Sequence, residues 1–152
     1  MNPKQSFLTI LLLTLFSCLS QAQQESGLPK GAVRLAPSDI QWSEGPVALP
    51  KGTKIAVLYG DPKTTGFFAI RLKFPPNAAV KPHIHTEDEV VTVIDGNISI
   101  GFGDQVDLSK AKSFSASGFY VIPARTYHFV SVGDKGATVQ INSNGPWTVE
   151  FK

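Results

Sequence analysis

The chain is almost without cysteine: its one copy, Cys18, lies close to the start. Downstream of it no disulfide, thiolate ligand or cysteine nucleophile is available, so an oxidising compartment poses the fold no problem. Charge of one sign is also lacking. Lys and Arg total 14 against 12 Asp and Glu, a net charge of +2, and no stripe of Lys/Arg is interleaved with aromatics. That excludes the electrostatic footprint of a nucleic-acid-binding face, so the expected partner is a small molecule. No segment sustains a helical period, and there is no internal repeat or low-complexity tract.

The first 22 residues read as a secretory signal peptide. Lys4 gives a short positive start, Phe7 to Leu19 is a nearly unbroken apolar stretch, and Ser20-Gln21-Ala22 places small residues at the cleavage positions. The apolar stretch is too short for a comfortable membrane span. The expectation is an exported protein, periplasmic or secreted, with no stable membrane insertion once the signal is cleaved. The alternative is a lipoprotein anchored through Cys18, because Leu15-Phe16-Ser17-Cys18 loosely resembles a bacterial lipoprotein site; bulky Phe16 argues against it. Cleavage after Ala22 leaves residues 23–152, enough for one domain with its own core.

Residues 23–50 read as an N-terminal arm, with Val33, Leu35, Ile40 and Trp42 set between turn-formers. Residues 51–152 are consistently β in character. Apolar runs at 55–59, 67–74, 89–94, 97–102, 119–122, 127–132, 137–142 and 147–151 are separated by Gly, Pro, Asn or Asp. Asp95-Gly96 is the strongest short hairpin signal, and Ser109 to Lys112 allows a single helical turn. Eight or so short strands predict an all-β sandwich or barrel.

Histidine is scarce, and its placement is the most informative feature. Pro82-His83-Ile84-His85 puts two imidazoles on one face of an extended segment, because side chains alternate along a strand. Glu87 and Glu89 follow with the same parity, and His128 stands on a later strand. Three imidazoles and one nearby carboxylate form a compact nitrogen/oxygen set suited to one divalent ion: Mn, Fe, Ni, Cu or Zn. The competing reading is three satisfied or exposed histidines on a barrel that holds no ion.

His83-x-His85, Glu89 after three intervening residues and Gly96 after six more resemble the first signature of the cupins, here the small, single-domain, exported, type-2-like kind. Gly118, Pro123 and His128 resemble part of the second. The resemblance implies a jelly-roll (double-stranded β-helix) barrel with the arm before it. It also implies a metal held by His83, His85, Glu89 and His128, which selects Glu89 over Glu87 and leaves Glu87 as a rim carboxylate. Asn77 stands where the first signature usually begins with glycine, and Asn also tolerates left-handed geometry. Arg125 replaces a glycine, at a cost on the order of 1 kcal/mol if its φ is positive. Val132 replaces an asparagine, which weakens assignment to any one enzyme subgroup.

Four protein ligands leave room for water, dioxygen or substrate at an ion that prefers six. The implied activity is a metal-dependent oxidoreductase of dioxygenase type acting on a small organic molecule, with isomerase or lyase chemistry next. The alternatives are a module that binds a small molecule or metal without turnover, and a purely structural ion. Edge strands and aromatics also allow a homodimer, an assembly frequent in the family. Arg125 reads as an exposed turn residue rather than a grip on an anion. Tyr127 and Phe129 are expected to face away from His128. Gln140 and Asn142 face either the cavity or solvent, and Trp147 reads as a packing anchor.

Overall fold

The computed structural model describes residues 28–152. The expected signal peptide, Cys18 and the start of the arm lie outside the described residues. The described residues fall into two units, 28–32 and Val33–Lys152. In the first, a turn is closed by the Ala32 N–H donating to the Pro29 carbonyl at 3.0 Å. The second contains β1 (Ser43–Glu44), β2 (Lys54–Tyr59), β3 (Gly66–Phe74), β4 (Ala79–His85) and β5 (Glu89–Phe102). It continues with β6 (Lys112–Ser115), β7 (Phe119–Ile122), β8 (His128–Gly145) and β9 (Val149–Phe151). Leu108–Lys110 forms a short turn of 3-10 helix that overlaps the expected Ser109–Lys112, whose last residue instead opens β6, and Pro37–Asp39 forms another. Among the described residues no helix is long and apolar enough to cross a membrane.

The architecture is an all-β jelly roll of curled antiparallel sheet. The strands run β1-β2-β3-β8-β4-β9, and β5 pairs with β6, β7 and β8. Alternation decides which face is inside. In β3, Phe68, Ile70, Leu72 and Phe74 are buried while Arg71 and Lys73 point outward. Val91 and Val93 from β5 and Val139 and Ile141 from β8 meet them in one core.

Asp95-Gly96 does not make a hairpin. The two runs flanking it are one 14-residue strand, and the runs at 127–132 and 137–142 are likewise merged in the 18-residue β8. β5 and β8 pair along their length, with register shifts between Val93 and Asp95 and between Gly96 and Ile98. Gly96 has φ +78°, and a Cβ there would lie 2.1 Å from the Gly136 carbonyl oxygen. The glycine is therefore required by a close backbone approach at a barrel corner, not by a chain reversal. Asn77 and Arg125 both have positive φ, 58° and 55°, so the two departures from glycine retain left-handed geometry.

Candidate metal centre

β4, β5 and β8 bring the sequence-selected residues together. His83 lies directly opposite His128 in the β4–β8 ladder and opposite Phe151 in the β4–β9 ladder. The ladder shifts register between Val80 and His83, the stretch that contains Pro82, whose missing N–H suits an irregularity. His85 ends β4, Glu89 opens β5 and His128 opens β8, so all three stand at strand ends on one side of the barrel. All four side chains are buried.

Each histidine is oriented by its own backbone contact. His83 Nδ1 lies 2.7 Å from the Lys81 carbonyl, His85 Nδ1 2.9 Å from that of Thr148, and His128 Nδ1 3.0 Å from that of Thr126. A carbonyl only accepts, so Nδ1 carries the hydrogen in all three and Nε2 is left as a lone pair. Backbone partners of this kind orient imidazole ligands in metal sites. The three imidazoles have ligand atoms within 4.8 Å of one another. Glu89 Oε2 lies 3.4 Å from His128 Nε2 and 3.7 Å from His85 Nε2. His128 Nε2 is fully enclosed and has no hydrogen-bond partner. An enclosed lone pair beside a carboxylate is what a cation would satisfy, so the three clustered imidazoles fit one ion, with Glu89 beside them.

At His83 and His85 the electrostatics agree with that protonation pattern. Burial, reinforced by neighbouring His128, lowers the His83 pKa to about 4, and burial lowers that of His85 as well. Burial pushes the Glu89 carboxyl up, but His128, His85 and His83 outweigh it and hold the group below its ordinary value. With His83 and His85 neutral and Glu89 ionised, these three groups are in their ligating forms without losing a proton first.

The turns that carry the site are tied to one another. The Arg125 N–H donates to the His85 carbonyl at 2.8 Å, and the Ala124 N–H donates to the Asp88 carboxylate at 2.8 Å. The Ser143 hydroxyl donates to the Asp88 carbonyl at 2.6 Å. Thr86 Oγ1 donates to the Pro146 carbonyl and accepts from the Thr148 N–H, beside the carbonyl that holds His85. Glu87 lies in the bend between β4 and β5 and is exposed. Its shared parity with Glu89 is broken by that bend. Arg125 is an exposed turn residue whose backbone, not its guanidinium, serves the site.

A cavity of about 220 Å³ opens beside the four residues. Val139 and Ile141 line it, whereas Gln140 and Asn142 do not, and Gln140 accepts from Arg71 at 3.2 Å. Phe129 faces away from the cavity, against Gly101, and Tyr127 lies beneath the Lys152 ammonium. Trp147 stacks on the His85 ring, centroids 3.9 Å apart and planes 12° apart, and meets Phe68 edge-on. It is a packing anchor that packs a site residue and lines the cavity at once.

Sequence reasoning missed Tyr120, which lines the cavity from β7 and faces Val91 across the β5–β7 ladder. Burial, then the charge of Glu89, raises its pKa and keeps it protonated. Its alternation with Val121 in a four-residue strand was the only available signal. Pro46, Ala48 and Leu49 were missed as well, because nothing local shows that this segment closes over a cavity.

No family model matches the sequence. A germin-like protein of Oryza sativa subsp. japonica is 34% identical over 59 residues, which is 38% of this chain and 28% of that protein. The chain thus matches little more than a quarter of that relative's length. Among solved structures, the polyketide cyclase RemF of Streptomyces resistomycificus superposes with a TM-score of 0.65 at 16% identity, over 78% of this chain and 83% of that one. A sugar phosphate isomerase of the cupin superfamily from Silicibacter pomeroyi superposes with a TM-score of 0.61 at 19% identity, over 78% and 81%. Taken with the curled antiparallel sheet and the clustered histidines, these likenesses show that the chain has the cupin fold.

Proposed function

We propose that this chain is an exported cupin that holds one divalent transition metal through His83, His85, Glu89 and His128. The reaction we assign is a metal-dependent oxidation of dioxygenase type on a small organic molecule. The observation that supports the metal reading is the set of three Nδ1–carbonyl hydrogen bonds, which leave three Nε2 lone pairs in one cluster, those of His85 and His128 at 3.7 and 3.4 Å from the Glu89 carboxylate. Support for export comes from residues 1–22 alone.

A bound ion would supply Lewis acidity or, if redox-active, a meeting point for substrate and dioxygen. The chain's own residues do the rest. The histidines and Glu89 offer four donors and leave coordination positions open for a fourth-row divalent ion. Apolar walls exclude water, and Tyr120 offers a hydroxyl to the cavity that Glu89 also lines. RemF is named a cyclase and the Silicibacter protein an isomerase, so one barrel serves different reactions and the fold does not choose among them.

A second reading, a binding module without turnover, is favoured by one observation. Apart from the four proposed ligands, the cavity wall contains no ionisable side chain except Tyr120. Tyr120 is then the one wall group independent of the ion that could move a proton, and it is held protonated, so proton transfer falls to it or to Glu89.

The test is elemental analysis of the mature protein, residues 23–152, purified without a metal-binding tag, beside a His83→Ala/His85→Ala variant. We expect about one divalent ion per chain, lost in the variant. No ion in either protein after reconstitution would remove the metalloenzyme. An Fe- or Mn-loaded protein that consumes no dioxygen with any bound organic ligand would leave the binding module.

A further inference from the structure

The cavity beyond the proposed ligands has a chemistry of its own. Ile70 and Leu72 from β3, Val91 from β5 and Val139 and Ile141 from β8 form its walls. No Lys, Arg, Asp or other Glu lines it. The cations around it do not line it: Arg71 donates to Gln140, Arg125 is exposed on its turn, and Lys81 and Lys152 border an adjoining groove that shares Ala48, Leu49, Val80 and Phe151 with the cavity. A phosphate, sulfonate or second carboxylate buried here would be stranded without a counter-charge.

The wall has two neutral polar groups, the Tyr120 hydroxyl and the Trp147 indole N–H. Among the described residues neither has a hydrogen-bond partner. Tyr120 faces Val91, which follows Glu89 on the same face of β5, so its ring stands one step along the wall from the histidine end. Phe114 packs against that ring with centroids 4.8 Å apart and fixes its position. The volume, about 220 Å³, falls below the roughly 300–1,000 Å³ typical of sites for drug-sized ligands.

We infer that the site takes an uncharged molecule of one or two rings that carries oxygen at the histidine end and is apolar elsewhere, with Tyr120 holding that oxygen in place. This deepens the metal reading and rests on it only for the end of the molecule that meets the histidines. The apolar body is selected by the walls whether or not an ion is bound. Sugar phosphates and dicarboxylates are excluded by the same walls.

Calorimetric titration of the Zn-loaded full-length mature protein tests this with three probes: 1-naphthol, its para-sulfonate and naphthalene. We expect saturable binding of 1-naphthol and about tenfold or greater weakening for the sulfonate, whose charge falls on the apolar wall. Tyr120→Phe should weaken 1-naphthol by about three- to tenfold, the worth of one hydrogen bond, and leave naphthalene within about twofold. A sulfonate that binds as tightly as 1-naphthol overturns the inference, as does a protein that rejects both uncharged probes. A Tyr120→Phe variant that loses both probes equally shows that the residue only packs, and removes its positioning role. A protein that takes up no ion yet binds naphthalene overturns the metal reading alone. One that takes up the ion and rejects both uncharged probes overturns this inference alone.

Discussion

Acidifying the metal-free protein from pH 7 to pH 5 should cost about 2 kcal/mol of stability through His83 alone. Burial, with His128 beside it, lowers the folded-state pKa of His83 from 6.5 to about 4. Between those values the unfolded chain holds a proton that the folded chain refuses. Stability from this group is therefore present above about pH 6.5 and is lost as pH falls toward 4. At pH 5 protonation favours the unfolded state by about thirtyfold, and at pH 7 hardly at all, which gives the figure of about 2 kcal/mol. His83 is only 5% exposed, so solvent screening does little to reduce it. The lowered pKa of His85 adds in the same direction, and that of Glu89 adds only once pH falls below its ordinary value of 4.5. Urea unfolding of chelator-treated protein, followed by tryptophan fluorescence, reads the effect. With a slope of about 1–3 kcal/mol per molar urea, the midpoint should fall by about 1 M between pH 7 and pH 5. His83→Gln removes the titrating group and should remove its share of the fall. Equal midpoints at the two pH values, or an unchanged fall in the variant, would refute the reasoning.

Three further outcomes follow from the site and its frame. Glu89→Gln should lower metal affinity by about tenfold or more by removing the one anionic donor, whereas Glu87→Gln, in an exposed bend, should leave the metal content of the purified protein unchanged. Gly101→Ala would place a Cβ 2.1 Å from Phe129 Cζ and should destabilise the fold by about 1–3 kcal/mol in thermal or urea unfolding, with partial rescue by Phe129→Leu. Ser143→Ala removes the 2.6 Å bond to the Asp88 carbonyl that holds the bend before Glu89, and should cost about 1 kcal/mol in urea unfolding and loosen metal binding in competition with a chelator.

The strands themselves were legible because their side chains alternate. The run at 67–74 and the strand Phe119–Ile122 emerge close to where periodicity places them. Asp95-Gly96 shows where local reasoning stops. Its dipeptide is that of a tight turn, but the β5–β8 ladder supplies more backbone pairing by passing through it, and Gly96 serves a corner instead. Glu87 and Glu89 are equivalent by parity from His85, and the bend at Thr86 and Glu87 separates them: one is exposed and the other buried beside His128.

The amino-acid sequence by itself determined the class of fold and the identity of the clustered histidines. Alternation and turn chemistry act between neighbours in the chain, and a scarce residue type in a fixed spacing is visible without coordinates. Only the tertiary structure decided that Glu89 is buried against the histidines while Glu87 is exposed, which nitrogen of each ring is free, and that Tyr120, Trp147, Pro46, Ala48 and Leu49 border one cavity. Those facts depend on contacts between segments far apart in the chain, such as the His85 ring and the Thr148 carbonyl, and folding alone brings these groups within reach of a hydrogen bond.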